Sequence, residues 1–231
     1  MKCKYLKRIY TSGSIANIEL LESSMNVFTN TEILNIYGLS EAGPRVSAQR
    51  SKNQLGSVGS PLRGVVVKII KEDHEEAKLL EKGVIYINTP CKFIEYTDKS
   101  KMKDVLYGDW INTGDIGYFD KNNNLYIVGR IDNMIVIGSH NVYPEEIESR
   151  LRHECDIQDC VILSEKNKIY GERMICLYVS ENDVLEKLHL YCKSNFALYE
   201  IPYKFIKVNQ LVLTYNEKKV RDIAAYGDYL G

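Results

Sequence analysis

The sequence predicts a mixed fold, α/β at its start and α+β at its end, in three parts. Three observations carry this expectation. Residues 8–37 read as strand, helix, strand, the pattern of a parallel α/β layer. Residues 56–128 are rich in β-branched residues that partly alternate and are broken by glycine turns. The last hundred or so residues mix helical and strand patterns. The expected divisions are residues 1–55, the end of an α/β subdomain; 56–130, a small β-rich, barrel-like subdomain; and 131–231, an α+β domain.

Taken in order, RIYTSG at 8–13 reads as a short strand ending at a glycine turn. Ser14 is a candidate N-cap for a helix reaching Phe28, with Ile18, Leu21, Met25 and Phe28 spaced by three and four. Ile33–Tyr37 follows as a buried strand ending in YGLSEAG. Ligands of open parallel sheets bind beyond the carboxyl ends of strands, so Ser12, Gly13, Ser14 and the Tyr37–Glu41 segment are placed to meet one. Val65–Ile70 and Val84–Asn88 read as strands, separated by the charged run KEDHEEAKLLEKG, a solvated loop. A hairpin turns at Asn122–Asn124. Leu125–Val128 and Met134–Ile137 flank the polar joint GRID, with a tight TGD turn at Thr113–Asp115 before it and a Gly138–Asn141 loop after it. Pro144, with Glu145 and Glu146, opens a helix. Cys160–Leu163, Arg173–Val179 and Tyr203–Val208 are strands, and Asp183 caps another helix with Glu186 three residues on.

Composition narrows the function. The chain carries 30 basic and 31 acidic residues, for a net charge of −1, which gives no footprint for nucleic acid or an anionic membrane surface. Its apolar runs are too short for a membrane span, and Met1 is followed by KCKYLKR rather than an apolar leader, so the expected compartment is the cytoplasm. Six cysteines show no CxxC pair and four histidines no ligand spacing, which points to buried small hydrophobes rather than a zinc site or disulfides.

The candidate site residues sit on turns between rigid elements. In YGLSE, a tyrosine ring can stack on a base, Gly38 lets the backbone approach a ligand, the Ser40 hydroxyl can bond a phosphate oxygen, and Glu41 can hold a hard cation. The pentapeptide alone is equally an ordinary strand-to-turn link. Asp115 can accept two hydroxyl hydrogen bonds, or serve only as a turn aspartate. Arg130 suits ribose or phosphate oxygens, or a surface ion pair.

WINTGD (110–115), GRIDNMI (129–135), GSHNVYPEEIE (138–148), YGLSE (37–41) and LTYNEKKVR (213–221) together resemble the motifs, in order, of the adenylate-forming enzyme superfamily. The GSHNVYPEEIE run is most similar to that of acyl-CoA synthetases. The resemblance implies carboxylate activation with ATP and Mg²⁺ to an acyl-adenylate, then transfer to CoA, releasing AMP. It implies adenine near Ser12–Ser14 and Tyr37, phosphate at Ser40, magnesium on Glu41, ribose at Asp115 and Arg130, and a hinge at Asp132 between a large and a mobile small domain. Gly138, Ser139, His140 and Asn141 would form the thiol-acceptor loop, and Lys218 would be the catalytic lysine, with Lys219 the alternative if the register slips by one. A fatty acid is the expected substrate; a carrier-protein acceptor and an inactive remnant that keeps the fold are the other readings.

The sequence departs from the family pattern at three places. Glu217 stands where the family has glycine before the lysine, Lys219 stands where it has an aliphatic residue, and Ser139 and His140 replace Gly and Glu. The Ser/Thr/Gly-rich phosphate loop ending in Pro-Lys-Gly has no counterpart among these residues. The resemblance therefore implies the C-terminal half of a ligase, as a truncated reading frame, one half of a split enzyme that a separate N-terminal half completes, or a gene remnant, and the chain alone is expected to be inactive.

Overall fold

A computed structural model describes residues 5–13, 18–49 and 55–230. It divides into two compact units, Met1–Ile131 and Asp132–Gly231. Helices and sheets are mixed in both.

In the first unit, β1 (Arg8–Thr11) and β2 (Glu32–Leu39) pair in parallel, joined through α1 (Ile18–Val27). This is the strand–helix–strand expectation; its Ser14 cap lies outside the described residues. β2 then turns back into antiparallel β3 (Gly43–Ala48), which pairs with the short β4 (Ser60–Pro61). A second sheet holds β5 (Val66–Ile70), β6 (Gly83–Asn88), β7 (Leu106–Tyr107), β8 (Trp110–Phe119) and β9 (Leu125–Arg130), all antiparallel. The period-two alternation of β6 buries Ile85 and Ile87 against Ile69, Ile111 and Leu125. The two sheets meet where the Val58 N–H donates to the Leu125 carbonyl (2.8 Å) and the Leu125 N–H donates to the Gly59 carbonyl (2.9 Å).

Two loops expected from sequence are strands. Thr113–Asp115 lies inside β8, not in a turn. Val84 pairs with Ile116 and Tyr86 with Asn112, so β8 bulges across these residues. Side chains replace the missing ladder bonds: Thr113 Oγ1 donates to the Ile85 carbonyl (2.9 Å) and accepts the Asp115 N–H (3.0 Å), and Asn112 Oδ1 accepts the Gly114 N–H (3.0 Å). Gly114 has φ +69°, a conformation that glycine adopts freely. The Gly138–Asn141 loop contracts to a two-residue turn, Gly138–Ser139, between β10 (Ile135–Ile137) and β11 (His140–Val142).

In the second unit, β12 (Asp159–Asn167) and β13 (Gly171–Val179) form a long hairpin. β14 (Lys204–Lys207) joins β13 in parallel, and β10 touches the start of β13. Alternate residues of the hairpin pack in opposite directions. Cys160, Ile162, Met174 and Cys176 meet α2 (Pro144–Glu154) and α3 (Leu185–Asn195); Val161, Leu163, Ile175 and Leu177 meet Val208 and Tyr226, ahead of the short α4 (Gly227–Leu230). Asp183 bonds the Leu185 N–H at 3.4 Å, but Val184 occupies the N-cap, one residue later than expected. Cys91, Cys155, Cys160, Cys176 and Cys192 are free thiols.

An ion network centred on buried Glu148 ties the arm at residues 219–221 to this sheet. Glu148, 2% exposed, takes Arg221 in a two-pronged pair (2.5 and 3.0 Å) and accepts the Ile162 N–H at 2.8 Å. On balance the pairing raises the Arg221 pKa: burial pulls it down, and the Glu148 bond and charge outweigh it. Lys219 Nζ donates to Asp159 Oδ1 and to the Cys160 carbonyl, both at 2.6 Å. The arm bearing these cations is a narrow turn: Val220 N–H meets the Val212 carbonyl at 3.0 Å, and Thr214 N–H meets that of Lys218 at 2.7 Å. The Tyr226 hydroxyl pins both sides, accepting the Val212 N–H and donating to the Val220 carbonyl, each at 3.2 Å.

Replacing Glu148 by Ala strands a mostly buried guanidinium. Residues 132–231 are expected to lose about 3–5 kcal/mol of stability, read as lost hydrogen-exchange protection of the β12 amides; a loss below about 1 kcal/mol would mean the pair is effectively solvated. Glu217 sits at φ +59°, the left-handed region that costs a non-glycine residue about 1–2 kcal/mol. Glu217→Gly is therefore expected to raise stability by about 1 kcal/mol, less the entropy glycine adds to the unfolded chain, measured by the midpoint of urea unfolding.

Candidate functional site

The first unit gathers most of the predicted nucleotide-binding residues. Thr11 pairs with Asn35 at the end of the parallel ladder, and Ser12 and Gly13 follow directly where β1 leaves the sheet. Both are exposed, and Gly13 has φ +99°. Ser14 is outside the described residues. Tyr37 and Gly38 belong to the end of β2, and Ser40 and Glu41 to the hairpin turn that follows. Gly38 has a reason within the fold itself: a Cβ there would lie 2.3 Å from the Pro44 carbonyl oxygen across the hairpin. Its lack of a side chain lets β2 and β3 approach, whatever else the position does.

Strand register brings Asp115 and Arg130 together. They are direct partners across β8 and β9, and Arg130 Nη1 lies 3.0 Å from Asp115 Oδ1. The other carboxylate oxygen accepts the Tyr37 hydroxyl at 2.5 Å, a contact 78 residues apart in sequence. Asp115 is 14% exposed and Arg130 49%, so the carboxylate is sheltered while the guanidinium reaches solvent. Burial first, then the Asp115 charge, push the Tyr37 phenol well above its ordinary pKa, so it remains a hydrogen-bond donor. Gly114 matters here as well, since a Cβ at that position would stand 3.0 Å from Arg130 Nη2.

Glu41 has a parallel arrangement that sequence reasoning missed. The Tyr96 hydroxyl donates to Glu41 Oε1, and the Phe93 N–H donates to the Glu41 carbonyl at 2.8 Å. Burial, and then the bond to Glu41, raise the Tyr96 pKa to about 12. Tyr96 lies in a loop with no periodic pattern, 55 residues from Glu41, and no local signal marks it.

The second unit carries the other predicted residues. Asp132 is its first residue and lies in a single 3-10 turn with Ile131 and Asn133. Gly138 and Ser139 are exposed at the tip of the β10–β11 hairpin; the His140 ring stacks on Tyr199, with centroids 3.9 Å apart and planes 4° from parallel. Asn141 pairs with Val136 within that hairpin.

The two candidate lysines are distinguished by their surroundings. On the extended return arm, alternation sends Lys219 and Arg221 to the Glu148 side and Lys218 the other way. Lys218 is exposed, whereas the Lys219 ammonium is held by Asp159 and Cys160 and lies 3.6 Å from Glu148. Among the described residues, no group of three or more His, Cys, Asp and Glu could hold a metal ion, and no helix is long and apolar enough to cross a membrane.

Comparison with known proteins gives consistent matches. Residues 2–97 match the family model described as AMP-binding enzyme. A long-chain-fatty-acid–CoA ligase of Bacillus subtilis is 31% identical over 205 residues, which are 85% of this chain and 37% of that one. The o-succinylbenzoate CoA synthetase MenE of Bacillus subtilis, solved with the acyl-adenylate OSB-AMP, superposes with a TM-score of 0.84 at 27% identity, over 95% of this chain and 46% of that one. The same enzyme with ATP and magnesium ion superposes at 0.83, with the same identity and coverage. The chain thus spans less than half the length of these relatives. These matches support membership of the adenylate-forming superfamily, with the chain corresponding to the C-terminal part of its relatives.

Proposed function

We propose that the chain is the C-terminal portion of an AMP-forming acyl-CoA ligase, acting on a carboxylic acid in the cytoplasm, with a fatty acid the favoured substrate. The observation that carries the reading is the Asp115 carboxylate, fixed by strand register between Tyr37 and Arg130 on a glycine-kinked strand. An acceptor-only group suits the two ribose hydroxyls of a nucleotide, and a half-exposed guanidinium beside it suits a ribose or phosphate oxygen. Tyr37, Ser12, Gly13 and Ser14 would border the adenine, and Ser40 would bond a phosphate oxygen. Asp132 would serve as the hinge, and residues 138–141 would receive the thiol of CoA.

The donor set near Glu41 fits magnesium in company with phosphate. One carboxylate and the neighbouring Ser40 hydroxyl lie in the β2–β3 turn. Magnesium is commonly held by one or two carboxylates plus substrate phosphates. Glu41 would hold it beside a bound nucleotide, where the ion supplies charge neutralisation for the departing pyrophosphate. The Lys218 ammonium would stabilise the negative charge that builds as the substrate carboxylate meets the α-phosphate. Its exposed position on the turn leaves it available, while Lys219 serves the fold.

Asp115→Ala is expected to weaken ATP and AMP binding by at least about tenfold, roughly 1.4 kcal/mol, in calorimetric titration; unchanged affinity would remove the ribose assignment. In the assembled enzyme, Lys218→Ala should cut AMP formation by about 10²–10³ with nucleotide affinity kept, and Lys219→Ala should act on stability instead. If Lys219→Ala alone abolishes turnover at unchanged stability, the assignment moves to that residue. A catalytically inactive, nucleotide-binding remnant is the second reading, favoured by the strained Glu217 beside Lys218. It predicts nucleotide binding without AMP release in any assembly, and one acceptor assay with CoA and a carrier protein separates the enzymatic alternatives.

A further inference from the structure

We propose that Tyr96 is a positioning residue for Glu41, holding one carboxylate oxygen so that the other is presented to a magnesium–nucleotide complex. The inference rests on the reading of Glu41 given above. Glu41 sits in a hairpin turn, where a glutamate side chain with three rotatable bonds has little to fix it. Two contacts fix it here. The Phe93 N–H holds its backbone carbonyl at 2.8 Å, and the Tyr96 hydroxyl holds Oε1.

The segment that supplies these donors is itself braced. The Phe93 and Tyr96 rings pack at 4.8 Å with a 58° tilt, and the Tyr96 N–H meets Met102 Sδ at 3.3 Å. Lys92 reaches the Gly108 carbonyl at 3.1 Å and Asp109 at 3.2 Å. Cys91 lies close to Gly43 at the start of β3, where a Cβ on Gly43 would come within 3.2 Å of the Cys91 Cβ. Tyr96 is therefore a donor on a rigid arm, aimed at a carboxylate on a turn. Groups that orient a metal-binding carboxylate typically contribute 10–100-fold to metal affinity. A tether that merely secured the loop would contribute to stability and leave metal affinity untouched.

The two roles separate in a double-mutant cycle on the 231-residue chain, with Tyr96→Phe, Glu41→Gln and the double variant. The measurement is Mg²⁺ titration at fixed ATP, alongside ATP affinity in EDTA and the urea midpoint. Tyr96→Phe is expected to weaken the Mg²⁺-dependent binding at least about tenfold and to leave affinity in EDTA unchanged. In the Glu41→Gln background it should have no further effect. Unchanged Mg²⁺ dependence in Tyr96→Phe, or an equal loss with and without Glu41, overturns the positioning role and leaves the function reading intact. A wild-type chain whose ATP binding shows no Mg²⁺ dependence overturns both, and it does so before any variant is compared.

Discussion

The Glu148–Arg221 pair is the constraint on which the second unit is built. Its partners are 73 residues apart, Glu148 is buried and Arg221 only 18% exposed, and an unpaired charge there would be expensive to bury. Satisfying it fixes three things together. It places α2, which carries Glu148, against β12 through the Ile162 N–H; it fixes the end of the return arm; and it sets which way the arm's alternating side chains point. Lys219 then falls among Asp159, Cys160 and Glu148, and Lys218 faces solvent. Glu145, one turn before Glu148, is drawn into the same network through Asn133 and Arg221, and burial lifts its pKa against both attractions.

The first unit uses milder means to hold its carboxylates. Asp115 and Glu41 each accept a tyrosine hydroxyl on one oxygen, a neutral donor that orients the group, and Asp115 adds the half-exposed Arg130 on its other oxygen. Register does the remaining positioning. The bulge in β8 adds residues opposite β6, and its hydrogen bonds are made good by Thr113 and Asn112, so that Asp115 arrives opposite Arg130. The strain this needs is confined to Gly114. At Glu217 the chain instead carries a non-glycine residue in the left-handed region, next to the lysine proposed for catalysis.

Much of the architecture was legible because it rests on local periodicity. The strand–helix–strand start, the strands β5, β6, β12 and β13, the β8–β9 hairpin at Asn122–Asn124 and the Pro144 helix opening all follow from spacing, caps and turn residues. The two misread loops share one cause. Glycine within TGD and GSHN suggested loops, because glycine marks turns in sequence; in the fold Gly114 makes a strand bulge and Gly138 a two-residue hairpin turn. Only partner strands distinguish these uses.

The sequence by itself determined which chemistry the chain offers: a tyrosine, two carboxylates, an arginine and a lysine on short segments whose order matches one superfamily. It also determined where most strands and helices lie, since apolar spacing needs no distant partner. Tertiary structure alone decided how those groups are held. Tyr37 meets Asp115 across 78 residues, Tyr96 meets Glu41 across 55, and Arg221 meets Glu148 across 73. It also assigned Lys219 to the ion network and left Lys218 exposed. A hydrogen bond or ion pair depends on distance in space, and neighbouring residues carry no record of what lies across a sheet.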